Sequence, residues 1–207
     1  MTQILTNRRT TALLFVGLLV LLALLLALLP PEQVLGDIVK AVFLHGALVQ
    51  VGLAAFAAAG VLGVIYLFWR RESIYQWCFA VQQTAVILWV VYALSSMVTT
   101  YLAWGTPIAW DEPRVRASFH VLWFVAACLA LAFWLSSRVF TAVINVAVAG
   151  MVWYLVKGAG LLRHPLNPIG TSSSTAYPLF FMAMLVVVFL LALLIVNWLR
   201  QRARGAI

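Results

Sequence analysis

The sequence predicts an all-α, polytopic membrane protein: one integral domain folded as a bundle of six transmembrane helices, with both termini in the cytoplasm. Three observations predict it. Of 207 residues, 66% are hydrophobic and only 9% charged, with a mean hydropathy of +1.09, which is more apolar surface than a soluble domain of this length can hide. Six apolar runs, near 11–29, 42–68, 78–100, 117–136, 139–157 and 178–199, are each long enough to cross roughly 30 Å of hydrocarbon. Because backbone groups in lipid must be satisfied within the protein, and the runs are too continuously apolar for barrel strands, they read as helices.

Each run has its own character. The first exceeds the apolar core of a secretory signal, lacks a small-residue cleavage site and ends in Leu29-Pro30-Pro31, so it reads as a retained span. The second carries His45 just inside its start, then Gly60 and Gly63 after the alanines between 54 and 59, a pattern suited to close helix packing. Gln82, Gln83, Thr84, Ser95 and Ser96 in the third run and Asn145 in the fifth are polar groups of the kind that join helices. His120 lies about one turn into the fourth. No Asp, Glu, Lys or Arg falls at mid-depth, which argues against an ion or proton pathway through the bundle. Cys78 and Cys128 lie within spans without C-x-x-C spacing, excluding a CxxCH haem attachment, a thioredoxin-like pair and a cysteine zinc cluster.

Charge placement sets the expected orientation. Termini in the cytoplasm put Arg8, Arg9, Arg70, Arg71, Arg138, Arg200, Arg202 and Arg204 inside, and Lys40, Arg114, Arg116, Lys157 and Arg163 outside, eight against five. Anionic lipid accounts for the inner eight. Five is more than the rule leaves outside, and those residues are expected to meet an anion. The net charge of +8 is dispersed over short loops and forms no continuous stripe, so nucleic acid is not an expected partner.

The inner connectors, 70–77 and around 136–138, are short, and polar length gathers in outer segments near 30–41, 101–116 and 157–177, all containing proline. His45, His120 and His164 all fall on that outer side. Two neutral imidazoles from different segments can hold a six-coordinate iron porphyrin through their Nε2 atoms; interfacial histidines can equally hydrogen-bond headgroups or backbone. Trp104 and Trp110 suit an interfacial aromatic belt. Their surroundings suggest more. A Gly105-Thr106-Pro107 break precedes Trp110-Asp111, with Arg114 and Arg116 close behind, so aromatic faces for a flat ligand stand beside guanidinium groups for carboxylates. Asp111 can orient a tryptophan N–H or pair with Arg114.

Trp104-Gly105-Thr106 followed by Trp110-Asp111 and Arg114 resembles the tryptophan-rich signature W-G-T-W-W-V-W-D-A-R of haem-handling proteins, closest to the CcmC-like family of cytochrome c maturation. The resemblance runs over most of the chain: six spans, Phe43-Leu44-His45 at the start of the second, the signature between the third and fourth, and Leu162-Arg163-His164-Pro165 before the sixth. It implies that His45 and His164 are the axial ligands of non-covalently held haem b carried as cargo, with Trp104, Gly105, Trp110, Asp111 and Arg114 around the ring. It further implies a bacterial inner membrane, a haem site on the periplasmic face, and hand-over to a membrane-anchored haem chaperone with the help of ABC-type transporter subunits, without enzymatic chemistry of its own. The chain departs from the family at Pro107-Ile108, where two adjacent tryptophans are usual, at Glu112-Pro113, and at Gly46-Ala47 after the first ligand. His120 has no counterpart in the pattern and reads as a supporting residue.

Other classes of function are less well matched. A haem-bearing subunit of a quinone-linked oxidoreductase places its histidine pairs on facing helices inside the bundle. A permease shows repeated halves, interrupted helices or intramembrane charges. Cytochrome c synthetases, which share the tryptophan signature, have more spans.

Overall fold

A computed structural model describes residues 8–163 and 174–205, and these form six α-helices and no β-strand. They are α1 Arg8–Leu28, α2 Ile38–Trp69, α3 Glu72–Trp104, α4 Pro113–Leu135, α5 Arg138–Gly158 and α6 Ala176–Gly205. All six are long and apolar enough to cross a membrane. Successive helices run in opposite directions, so the connections 29–37 and 105–112, the residues 159–163 after α5 and the start of α6 share one end of the bundle, here the loop end. The start of α1, the end of α6 and the turns at Arg70–Arg71 and Ser136–Ser137 share the other, the basic end.

The helices outrun the apolar segments from which they are read. At 32 and 33 residues, α2 and α3 are about 48–50 Å long, well beyond the hydrocarbon thickness. The expected inner connector 70–77 contracts to two residues because Glu72 to Trp77 already belong to α3. The expected outer segment 101–116 contracts likewise, with 101–104 closing α3 and 113–116 opening α4, so Trp104 and Arg114 are helical. Lys157, expected in the next outer segment, sits in the last turn of α5. The periodic core pattern marks where lipid begins, not where backbone hydrogen bonding stops. The stops are local: Gly105 ends α3 in the left-handed region at φ 75°, its N–H bonded to Tyr101 O at 2.9 Å, and Pro113 starts α4 where no N–H is needed.

The centre of the bundle is α2, packed along α3 and against α5 and α6. In lipid there is no hydrophobic gain on bringing apolar helices together, so close contact and buried polar bonds must supply the association. Both occur. A Cβ on Gly60 would stand 2.6 Å from Ala149 Cβ, and one on Gly63 2.6 Å from Ala142 O, so these glycines are what allows α5 its approach, as their spacing suggests. At the same interface Asn145 Nδ2 donates to Cys78 Sγ at 3.1 Å, and the Cys78 thiol points to Ala59 O at 3.7 Å. Trp89 is fully buried against Phe56, leaves only 3.3 Å between its ring and a Cβ on Gly52, and donates its N–H to Ser118 O on α4 at 3.1 Å. By contrast α1 buries no residue and rests mainly on α6.

Gly63→Ala is expected to destabilise the detergent-solubilised protein by about 1–3 kcal/mol, the usual cost of overpacking. Gly150→Ala, whose Cβ would meet nothing within 4 Å, should be neutral or stabilising by up to about 1 kcal/mol. Thermal or denaturant unfolding of the two variants side by side measures the contrast.

Candidate functional site

His45 lies two turns inside α2 from the loop end and is half-buried, with Nδ1 turned into the protein. Its ring stands 4.8 Å from that of Tyr92 on α3, tilted by 33°. Gly46 has a local reason: a Cβ there would lie 3.2 Å from the Phe181 ring. Phe43 meets Phe181 and Tyr177 edge-on, and Tyr177 Oη donates to Pro31 O at 3.0 Å, tying α6 to the first connection. In that connection Glu32 accepts the N–H groups of Leu35 at 2.7 Å and Val34 at 2.8 Å, which hold its carboxyl below the ordinary range. A carboxyl lowered in this way supports the turn at neutral pH, and that support is lost as pH falls through the folded-state value.

From Tyr92 a hydrogen-bond chain leads to α4. Ser118 Oγ donates to Arg114 O at 2.8 Å, so in its 2.7 Å contact with Tyr92 Oη the tyrosine is the donor. With Trp89 bonded to Ser118 O, the start of α4 is held to α3 by two hydrogen bonds, both at Ser118, and the Ser118 hydroxyl is in turn bonded to the Arg114 carbonyl within α4. Arg114 Nε is buried without a hydrogen-bond partner. Buried donors are nearly always satisfied, so this one fits a ligand acceptor such as a carboxylate. The expected outer cations divide accordingly. Lys40 pairs with Asp37 at 2.8 Å, Lys157 lies 5.2 Å over Trp153, and Arg163 is committed to the clamp described next, leaving Arg114 and exposed Arg116 to meet an anion.

The tryptophan-bearing segment is fastened to the next connection by two acids. Glu112, fully buried, accepts with Oε2 the backbone N–H of Arg163 at 2.7 Å and that of Leu162 at 3.3 Å. Asp111 ion-pairs with the Arg163 guanidinium, which also lies 5.5 Å from the centre of the Trp104 ring. Thus Asp111 pairs with Arg163, where the sequence leaves Arg114 or a tryptophan N–H as its partner. The reason is geometric: Arg114 turns inward with α4, while Arg163 comes across from a segment about fifty residues away. Trp110 is half-exposed and its ring meets Phe119 at 5.1 Å, so it does not share the Trp104–Arg163 stack. Gly105, also exposed, serves as the stop of α3.

The arrangement therefore brings Trp104, Asp111 and Arg163 together and, separately, His45, Tyr92, Ser118 and Arg114. His164 lies outside the described residues; Arg163, its chain neighbour, is the last one described before it. His120 is exposed on α4. Sequence reading misses Glu112 and Tyr92. An acid directly before a helix-starting proline is a signal of sorts for Glu112. Its partners cannot be read from any local pattern, and Tyr92 sits in an unbroken apolar run.

A comparison with known protein families finds no match for this chain, and a comparison with curated proteins finds none either.

Glu112→Ala is expected to leave two amides without their acceptor and to cost about 1–3 kcal/mol. Hydrogen exchange of the intact protein should show Leu162 and Arg163 amides losing protection while those of α2 and α3 keep theirs. Unchanged protection at the two amides would show that Glu112 does not hold them.

Proposed function

We propose that the loop end holds haem as a transferable cargo during cytochrome c maturation, with His45 and His164 as axial ligands and the Trp104–Glu112 segment against the ring. The observation that carries this reading is the double-acid clamp. Asp111 and Glu112 hold Arg163, the residue before His164, onto the tryptophan-bearing segment at the same end of the bundle as His45. The order of His45, the tryptophan segment and His164 in the chain, with its resemblance to CcmC-like proteins, supports it further.

The remaining residues fit the same cargo. With Nδ1 of His45 turned into the protein, Nε2 is the nitrogen that would meet the iron. Tyr92 orients that imidazole by ring contact, and Arg114, with its buried Nε, suits a propionate. The exposed face of Trp110 suits stacking on a flat ring. Haem held only by side chains and aromatic faces, with no thioether bond, can leave intact, which a carrier needs. In this reading the loop end faces the periplasm across a bacterial inner membrane, and the receiving partner is a membrane-anchored haem chaperone, assisted by ABC-type transporter subunits.

Full-length protein purified in detergent and supplied with haem is expected to show a Soret band of bis-histidine type. His45→Ala and His164→Ala should each weaken haem affinity by about tenfold or more, while His120→Ala, altered at an exposed position, should match the unaltered protein. No Soret band, or the same band and affinity in both alanine variants, would overturn the assignment.

A further inference from the structure

At the basic end, α4 and α6 both rest on α3 but do not touch each other among the described residues. Between them runs a groove of about 510 Å³ over the first turns of α3. Its walls are mainly apolar, with Phe79, Phe133 and Leu199 the largest apolar side chains and Gln76 and Gln83 the amides among them, whereas its mouth is charged, with Glu72, Arg138 and Arg202. From Glu72 to Gln83, the two limits of its lining on α3, the groove follows the helix for about 16 Å. A polar mouth at one end of an apolar trough of that length has the outline of a lipid headgroup with the upper part of its chain.

The charges at the mouth are not equivalent. Glu72 is matched by Arg138 at 2.7 Å, and that guanidinium also lies 5.5 Å from the Tyr75 ring. Arg202 has no carboxylate partner among the described residues; its guanidinium carbon lies over Trp198, 4.2 Å from the ring centre. A guanidinium over an aromatic ring, with no carboxylate on it, keeps N–H donors that can meet a phosphate in bidentate fashion. Arg200, stacked 4.1 Å over Trp77 on the same side, gives the tryptophan and arginine grouping expected at the level of lipid headgroups. With Glu72 committed to Arg138, the mouth has no uncommitted acid among the described residues for a choline or ethanolamine group, which favours a headgroup that is anionic overall.

We propose that this groove binds one anionic phospholipid, its phosphate on the in-plane donors of Arg202 with those that Arg138 has left, and an acyl chain laid along Phe79, Phe133 and Leu199. The site is independent of the loop end and of any haem.

Native mass spectrometry of the full-length protein in mild detergent tests this, with added phosphatidylglycerol or phosphatidylcholine. One phosphatidylglycerol per chain is expected to be retained in preference to phosphatidylcholine. Arg202→Gln should lower that retention by about tenfold, the loss of one good charge-assisted contact, while Arg8→Gln, which removes the same charge from an exposed position at the same end, should not. Phe133→Trp, filling the trough without changing charge, should lower retention as well. Equal loss in R202Q and R8Q, equal retention of the two lipids, undiminished retention in F133W, or displacement by millimolar inorganic phosphate would each overturn the proposal.

Discussion

The loop end is organised around a buried carboxylate. A carboxylate removed from water is costly unless hydrogen-bond donors replace the lost hydration, and Glu112, fully buried, receives two backbone N–H groups from Leu162 and Arg163. Its place directly before Pro113 also sets it at the N-terminus of α4, where the helix dipole favours a negative charge. Glu112 is bound in sequence to the start of α4 and in space to the segment after α5, so a shift of either connection would break its hydrogen bonds to Leu162 and Arg163. Asp111 reinforces the link from the surface through Arg163, and the same guanidinium covers Trp104. The Glu112-Pro113 departure from the tryptophan signature thus has a structural role of its own.

Beneath this clamp, close packing sets the helices around and below His45. The glycines of α2 draw α5 in at Gly60 and Gly63, and Gly52 admits the Trp89 ring from α3. Trp89 and Tyr92 in turn reach Ser118 on α4. One ladder of contacts therefore joins α2, α3 and α4 within the upper half of the bundle. His45 rests on Tyr92 and Arg114 follows Ser118, so the position of an imidazole on one helix and a guanidinium on another is set by shared neighbours. Close packing and hydrogen bonds do this work because lipid supplies no hydrophobic drive between helices.

Both ends of the molecule combine ion pairs with cations on aromatic rings. At the loop end Asp111 pairs with Arg163 between two connections and Lys40 with Asp37 at the start of α2, while Lys157 and Arg163 lie over Trp153 and Trp104. At the basic end, guanidinium groups lie on aromatic rings, Arg138 on Tyr75, Arg200 on Trp77 and Arg202 on Trp198. The Asp111–Arg163 pair fixes two loops to each other.

Composition and hydropathy alone determined that this chain is a six-helix membrane bundle, because burying so much apolar surface and satisfying every backbone group in lipid leave few other solutions. They also marked His45, Trp104, Trp110, Asp111 and Arg114 as residues gathered at one end, and the Gly60 and Gly63 face as a packing surface, since sidedness follows from counting spans. Helix ends were legible only to within several residues, because α3 continues through Glu72 and Trp104 at the interface where hydropathy falls but hydrogen bonding does not. What the tertiary structure decided was partnership: Asp111 with Arg163, Glu112 with the amides after α5, and His45 with Tyr92. These pairs join residues far apart in the chain, so they arise only when the helices have packed and leave no periodic trace in the residues themselves.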